Sequence, residues 1–108
     1  IADVNDTNPK VADVLTATTA PGTGVEGQPV PAGQQVVTPN VSGSTITSTP
    51  VNGISVDGTG QLTGTPTGLT WSNDPTAPNY ETQTVTIPVT VTNGTQTETV
   101  DVLVTVQR

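Results

Sequence analysis

A chain of 108 residues has room for one hydrophobic core and not two. With neither Cys nor His, it lacks disulfides, thiolate metal sites and the groups on which nucleophilic and general acid–base catalysis most often rest, so no enzymatic activity is expected. Nine acidic residues against Lys10 and Arg108 give a net charge of −7, which repels phosphate backbones and anionic lipid heads; nucleic acid is not an expected partner, nor is membrane insertion.

The apolar residues are mostly Val with a few Ile and Leu, without Phe or Met and with one Trp and one Tyr, so the core must be thin and aliphatic. Val and Thr fit a pleated surface better than a helix, and 11 Gly and 10 Pro punctuate the chain as turn formers do. That composition predicts many short strands. Taken from the start, residues 1–9 (IADVNDTNP) read as a linker-like lead-in, in which Pro9 restricts Asn8 to extended conformations. No run is long and apolar enough for a membrane span or a signal-peptide core, so the chain reads as a piece of something longer, with export and anchoring signals lying outside it.

Short strands are predicted over residues 11–18, 34–38 and 44–48, and residues 21–33 (PGTGVEGQPVPAG) as loop with one edge strand, since Pro cannot donate to a ladder. Residues 53–64 (GISVDGTGQLTG) predict a hairpin whose loop Gly58-Thr59-Gly60, with Gly60 at positive φ, brings Val56 opposite Leu62. Residues 66–80 (PTGLTWSNDPTAPNY) are too rich in Pro, Asn and Asp for a continuous strand and predict a long connection.

The most regular pattern comes last. Residues 83–92 alternate with Val85, Ile87, Val89 and Val91 on one face, and residues 95–106 alternate with Val100, Val102, Val104 and Val106 in phase, so the two predict an antiparallel hairpin. An even-numbered loop, Asn93-Gly94 or residues 92–95, sets Ile87 opposite Val100 and Val85 opposite Val102, whereas an odd loop would set Val against Asp101. Of the two, the four-residue loop turns the missing donor of Pro88 away from the partner strand. About seven short strands with closely spaced turns predict a two-sheet antiparallel sandwich, a single domain over residues 1–108.

The stretch NGISVDGTGQLTGTPT (52–67), followed by a strand pair ending VTVTNGTQTETVDVLVTV, resembles the immunoglobulin-like and cadherin-like repeats of bacterial surface proteins. The same tail, with DVNDTNP (3–9) and PAG (31–33), is similar to the Rib and long-Rib repeats of Gram-positive surface proteins. The resemblance implies an immunoglobulin-like sandwich at the bacterial cell surface or cell wall, repeated in tandem, monomeric, and projecting an adhesive tip.

Against that background a few residues stand out. Asp3, Asn5 and Asp6 resemble the D-x-N-D linker through which cadherin repeats bind calcium, with Glu26 as a fourth contributor if it matches the cadherin-repeat glutamate. Three or four ligands fall short of the six to eight oxygens that Ca²⁺ takes, and the family's other acidic motifs are absent, so the favoured reading is a self-capped turn without metal. A cross-link between Lys10 and Asp101 is not expected either, because alternation turns Asp101 away from the Val face. Glu98 and Asp101 are read as solubilising charges on outer strand faces. Trp71 and Tyr80 bracket the long loop with Asn73 and Asp74 between them. These four could contact a glycan or protein, but a lone Trp in so thin a domain reads first as a plug over one end of the core, its N–H on a carbonyl. Three functions follow: a non-catalytic stalk or spacer among neighbouring repeats, a module binding a host glycan or protein through residues 66–80, or a calcium-stiffened repeat.

Overall fold

A computed structural model describes residues 14–108. Among them there is no helix, and eight strands follow in order: β1 (Ala17–Thr19), β2 (Gly22–Val25), β3 (Val37–Pro39), β4 (Thr45–Ser48), β5 (Ile54–Val56), β6 (Leu62–Gly64), β7 (Thr82–Asn93) and β8 (Gln96–Gln107). Six are three or four residues long, and the last two, where the long alternating runs 83–92 and 95–106 were predicted, are twelve each. The first predicted strand shrinks to Ala17–Thr19, its residues 11–13 lying outside the described part, and the second moves to Val37–Pro39.

The long β7–β8 pair carries the molecule. Its faces separate as the alternation predicts, with Val85, Ile87, Val89, Val91, Val102, Val104 and Val106 buried and mostly Thr outside. Its register differs from the prediction by two residues. Ile87 lies opposite Val102, Val85 opposite Val104 and Val89 opposite Val100, because the loop is Gly94-Thr95 and Asn93 pairs with Gln96. Gly94 has φ of 60° while Thr95 is not at positive φ, the pattern of a type II′ turn with Gly at the first central position. Asn93 serves the strand end, donating through Nδ2 to Ser42 O at 3.3 Å and Ser44 Oγ at 3.1 Å. The shift also suits Pro88. Arg108 N–H donates to Glu81 O at 2.9 Å, which makes alternate pairs from Glu81 onward the hydrogen-bonded ones. Pro88, opposite Asp101, falls at a non-bonded pair and owes β8 no donor. On its other side β4 has ended, at Ser48 opposite Val89.

Around this hairpin one sheet has the order β2-β8-β7-β4. It is mixed, not wholly antiparallel, because β2 runs parallel to β8, with Gly22 opposite Val104 and Val25 opposite Gln107. The predicted edge strand within residues 21–33 is thus present, with a parallel partner. Its inward positions are Gly22 and Gly24, since a Cβ at the first would stand 2.8 Å from Leu62 Cδ2 and at the second 3.1 Å from Pro66 Cγ. Across the core lie β1 paired with β3 and β5 paired with β6, linked by a bridge between Gln35 and Gln61. One aliphatic cluster unites the two layers: Leu15, Val36, Val37, Ile54, Val56 and Leu62 from one side, Ile46 and the β7–β8 residues from the other. No polar or charged residue is buried among the described residues.

The β5–β6 hairpin follows the sequence closely. Val56 faces Leu62, and the three-residue loop is closed by Asp57 N–H to Gln61 O at 2.9 Å, with Gly60 at φ 88°. It begins one residue later than predicted, at Ile54, because Asn52 and Gly53, both at positive φ, form a turn that bonds Val51 to Ile54 in both directions. Glu98 also departs from expectation. Half-buried opposite Val91, it shares the inner face with Val100 at the hairpin tip, where the core runs out; Asp101 is exposed on the outer face, as alternation predicts.

Gly60 joins the two halves of the second layer. Its carbonyl accepts from Val36 N–H at 2.8 Å and Val37 N–H at 3.1 Å, and a Cβ there would fall within 2.1 Å of Val37 O. Gly58, two residues away, has open space around it. Gly60→Ala is therefore expected to cost at least about 2 kcal/mol and to lower Tm by roughly 8–16 °C. Gly58→Ala should stay within about 0.5 kcal/mol. Thermal melts of the two variants distinguish them, and equal Tm values would contradict this role for Gly60.

Candidate functional site

Between β6 and β7 the chain makes the long connection foreseen over residues 66–80, and it is tied down from three sides. Pro66 is fully buried, its carbonyl accepting Gly27 N–H at 2.8 Å, which anchors the start. In the middle, Asp74 Oδ1 accepts Thr76 N–H at 3.0 Å and Thr76 Oγ1–H at 2.8 Å, an Asp-x-Thr turn set by residues two apart. Asn79 Nδ2 and Gln83 Nε2 both donate to Thr70 O, at 3.1 and 2.6 Å, and fasten the end onto β7.

The four candidate contact residues do not converge on open space. Trp71 is half-buried against the core and donates its indole N–H to Glu26 Oε1 at 3.4 Å, so the partner is a carboxylate and not the carbonyl anticipated. Asn73 and Tyr80 are both engaged by Arg108. Its Nη1 donates to Ser72 O at 2.7 Å and Tyr80 O at 3.1 Å, its Nη2 donates to Asn73 Oδ1 at 3.2 Å, and its Cζ stands 5.2 Å from the centroid of the Tyr80 ring. Asp74 is exposed and occupied with its own turn. Arg108 was not among the residues singled out from the sequence. The only signal for it was a single cation after a closing Val strand, and its main partners are backbone carbonyls, which sequence does not mark.

Asp3, Asn5 and Asp6 lie outside the described residues, as does Lys10. Glu26, the fourth residue of the calcium set, donates its backbone N–H to Gln107 O at 2.8 Å and so sits beside the end of β8. Leu15 N–H, by contrast, donates to Gln96 Oε1 at 2.8 Å, at the beginning of that strand. Among the described residues no three acidic groups gather as a metal site. Among the described residues, one groove of about 380 Å³ lies beside Thr23, Val25, Pro29 and Gln107 and another of about 350 Å³ beside Pro78, Asn79 and Gln83, neither lined by a titratable side chain; a smaller one of about 190 Å³ beside Thr19, Pro21 and Leu103 has Asp101 in its wall.

Among the described residues, two Asp-x-Thr turns shift the ionisation of their own carboxyls. Asp57 Oδ1 accepts Thr59 Oγ1–H at 2.6 Å, Thr59 N–H at 2.9 Å and Gln61 N–H at 3.0 Å. These donors hold its carboxyl below the usual carboxylate range, the Thr59 hydroxyl contributing most. Asp74 is lowered likewise, first by the Thr76 N–H.

Comparison with family models, with curated proteins and with solved structures finds no match to this chain.

Two outcomes are expected of the site. Because the ligand set is incomplete, Tm should be the same in EDTA and in millimolar Ca²⁺; saturating a native-state site at about a hundred times its Kd would add roughly 2.7 kcal/mol, and a rise of several degrees would overturn the metal-free reading. The lowered carboxyls of Asp57 and Asp74 contribute stability that is present above their unfolded-state values and is lost as pH falls through their lower folded-state values. Asp57→Asn should therefore flatten the acid limb of a Tm-against-pH curve below the ordinary carboxylate range, and an unchanged limb would show that this turn does not matter to acid stability.

Proposed function

We propose that this domain is a non-catalytic spacer module of a bacterial cell-surface protein, of immunoglobulin-like type, that holds a binding domain away from the cell wall. The observation that carries the reading is where the two ends of the described residues sit on the fold. Leu15 is held at the Gln96 end of β8 and Arg108 at the Gln107 end, beside Glu81. Twelve residues of strand separate the two points, roughly 36–40 Å. A domain threaded this way adds its full length to whatever chain it belongs to.

The strand order supports the type. Followed through the Gln35–Gln61 bridge, β1-β3-β6-β5 faces β4-β7-β8-β2, the order of the four-stranded and three-stranded sheets of an immunoglobulin-like constant domain with one parallel strand added at the edge. That added strand suits a spacer. Tension that draws the two ends apart loads the parallel β2–β8 pair in shear, so its bonds resist together and not one after another. The non-catalytic part of the proposal rests on composition, which offers no His or Cys.

The second reading, a module that contacts a host glycan or protein through residues 66–80, keeps the Trp71, Asn73, Asp74 and Tyr80 region as its surface. Against it stand the contacts that already occupy those side chains.

A polypeptide of several tandem copies tests the spacer reading. Its maximum dimension in small-angle scattering should grow nearly in proportion to copy number, because the join VTVQR-IADVNDTNP contains no Gly and no Ser run. Growth nearer the square root of copy number would count against it.

A further inference from the structure

We infer that the loop over residues 72–80 is a guanidinium receptor, filled in this chain by its own Arg108: two backbone carbonyls, one side-chain amide oxygen and one aromatic face converge on a single planar cation. The acceptors are Ser72 O, Tyr80 O and Asn73 Oδ1 at 2.7, 3.1 and 3.2 Å, and the Tyr80 ring centroid lies 5.2 Å from Cζ. Every group in the set accepts and none donates. A guanidinium offers several N–H donors in one plane together with a flat face for the ring, whereas an ammonium directs its three donors tetrahedrally from one nitrogen and has neither the span nor the flat face that this coplanar set fits.

The cradle is shaped by the loop itself. Ser72 N–H donates to Asn79 O at 3.2 Å, Asp74 N–H to Ser72 Oγ at 3.0 Å and Tyr80 N–H to Ala77 O at 3.2 Å, and none of these bonds involves Arg108. The directions of the two carbonyls are therefore largely fixed before any cation arrives, which is the condition for a receptor and not merely a contact. The net charge of −7 raises the local concentration of cations around it. A guanidinium from outside, carried on the arginine of a partner or of a second copy, gains the cradle only by displacing Arg108, so its capture is coupled to release of the chain at the end of β8. The inference does not depend on the spacer reading.

Chemical rescue tests it. Arg108→Ala removes an exposed side chain beyond the last core residue, Val106, and should leave the β7–β8 amides protected. Amide hydrogen exchange over residues 72–81 should quicken by roughly tenfold with three charge-assisted bonds gone. Millimolar methylguanidinium should restore at least half of the lost protection, methylammonium at the same concentration should not, and the unaltered protein should respond to neither. Tyr80→Leu in the Arg108→Ala background keeps the carbonyl and removes the ring, and should weaken the rescue. Unchanged exchange in Arg108→Ala, no recovery with methylguanidinium, or equal recovery with both cations would each overturn the proposal. Should Arg108→Ala unfold, Arg108→Lys takes its place, with partial loss of protection and recovery by methylguanidinium expected and the same three outcomes counting against it.

Discussion

Everything in this domain is referred to the pairing of β7 with β8. Two local devices hold its register: Gly94, whose positive φ opens a two-residue turn, and Pro88, which is tolerated where its missing N–H faces no partner. A slip by one residue would turn every valine of one strand to solvent. A slip by two would keep the faces but take Gly94 out of the first central position of the turn and move Arg108 off Glu81. From the correct register the rest follows by contact, because β7 seats β4, β8 seats β2, and the end of β8 delivers Arg108 to the long loop.

A core of valines and a few larger aliphatics is thin, and it leaves most other strands only three or four residues long. Short strands have ends and edges to satisfy, and here side-chain amides do much of that work. Gln34 accepts from Thr23 N–H at 2.9 Å and donates to Thr23 O at 3.0 Å, a one-residue imitation of a neighbouring strand along the open edge of β2. Asn40 does the same for the approach to β1, accepting from Thr16 N–H at 2.8 Å and donating to Val14 O at 2.9 Å. Gln35 ties the second layer together by donating to Val37 O and Thr59 O. An amide carries one donor end and one acceptor end, as a peptide unit does, which makes Gln and Asn the fitting residues for these places.

What could be read from the sequence was what local chemistry determines. The alternation of β7 and β8, the Gly60 loop with Val56 opposite Leu62, and the irregular run over residues 66–80 depend on neighbours a few residues apart, and the structure bears them out. The strand at Gly22–Val25 was legible only as an edge within a loop, because glycines at its inward positions show no alternation. Its partner, β8, lies some eighty residues further on. The same reason hid the role of Arg108. Its acceptors belong to a loop brought near by the fold, and two of the three are backbone atoms. The Glu98 position shows the converse, where parity marked an inner face that charge alone argued against.

The order in which the strands occur has a bearing on how the protein comes to be made. The pair on which the others depend is made after all the other described strands, so β2 waits for its partner until they have been synthesised. Contacts this distant in sequence are slow to form, and until they do, short β-prone segments stay open to wrong partners. In a polyprotein of similar units, each nascent copy would pass this stage beside a finished one. The early strands are short, broken by Pro and Gly, and poor in large apolar side chains, a composition that lowers the tendency of unpaired segments to aggregate before the final twelve-residue strand is made.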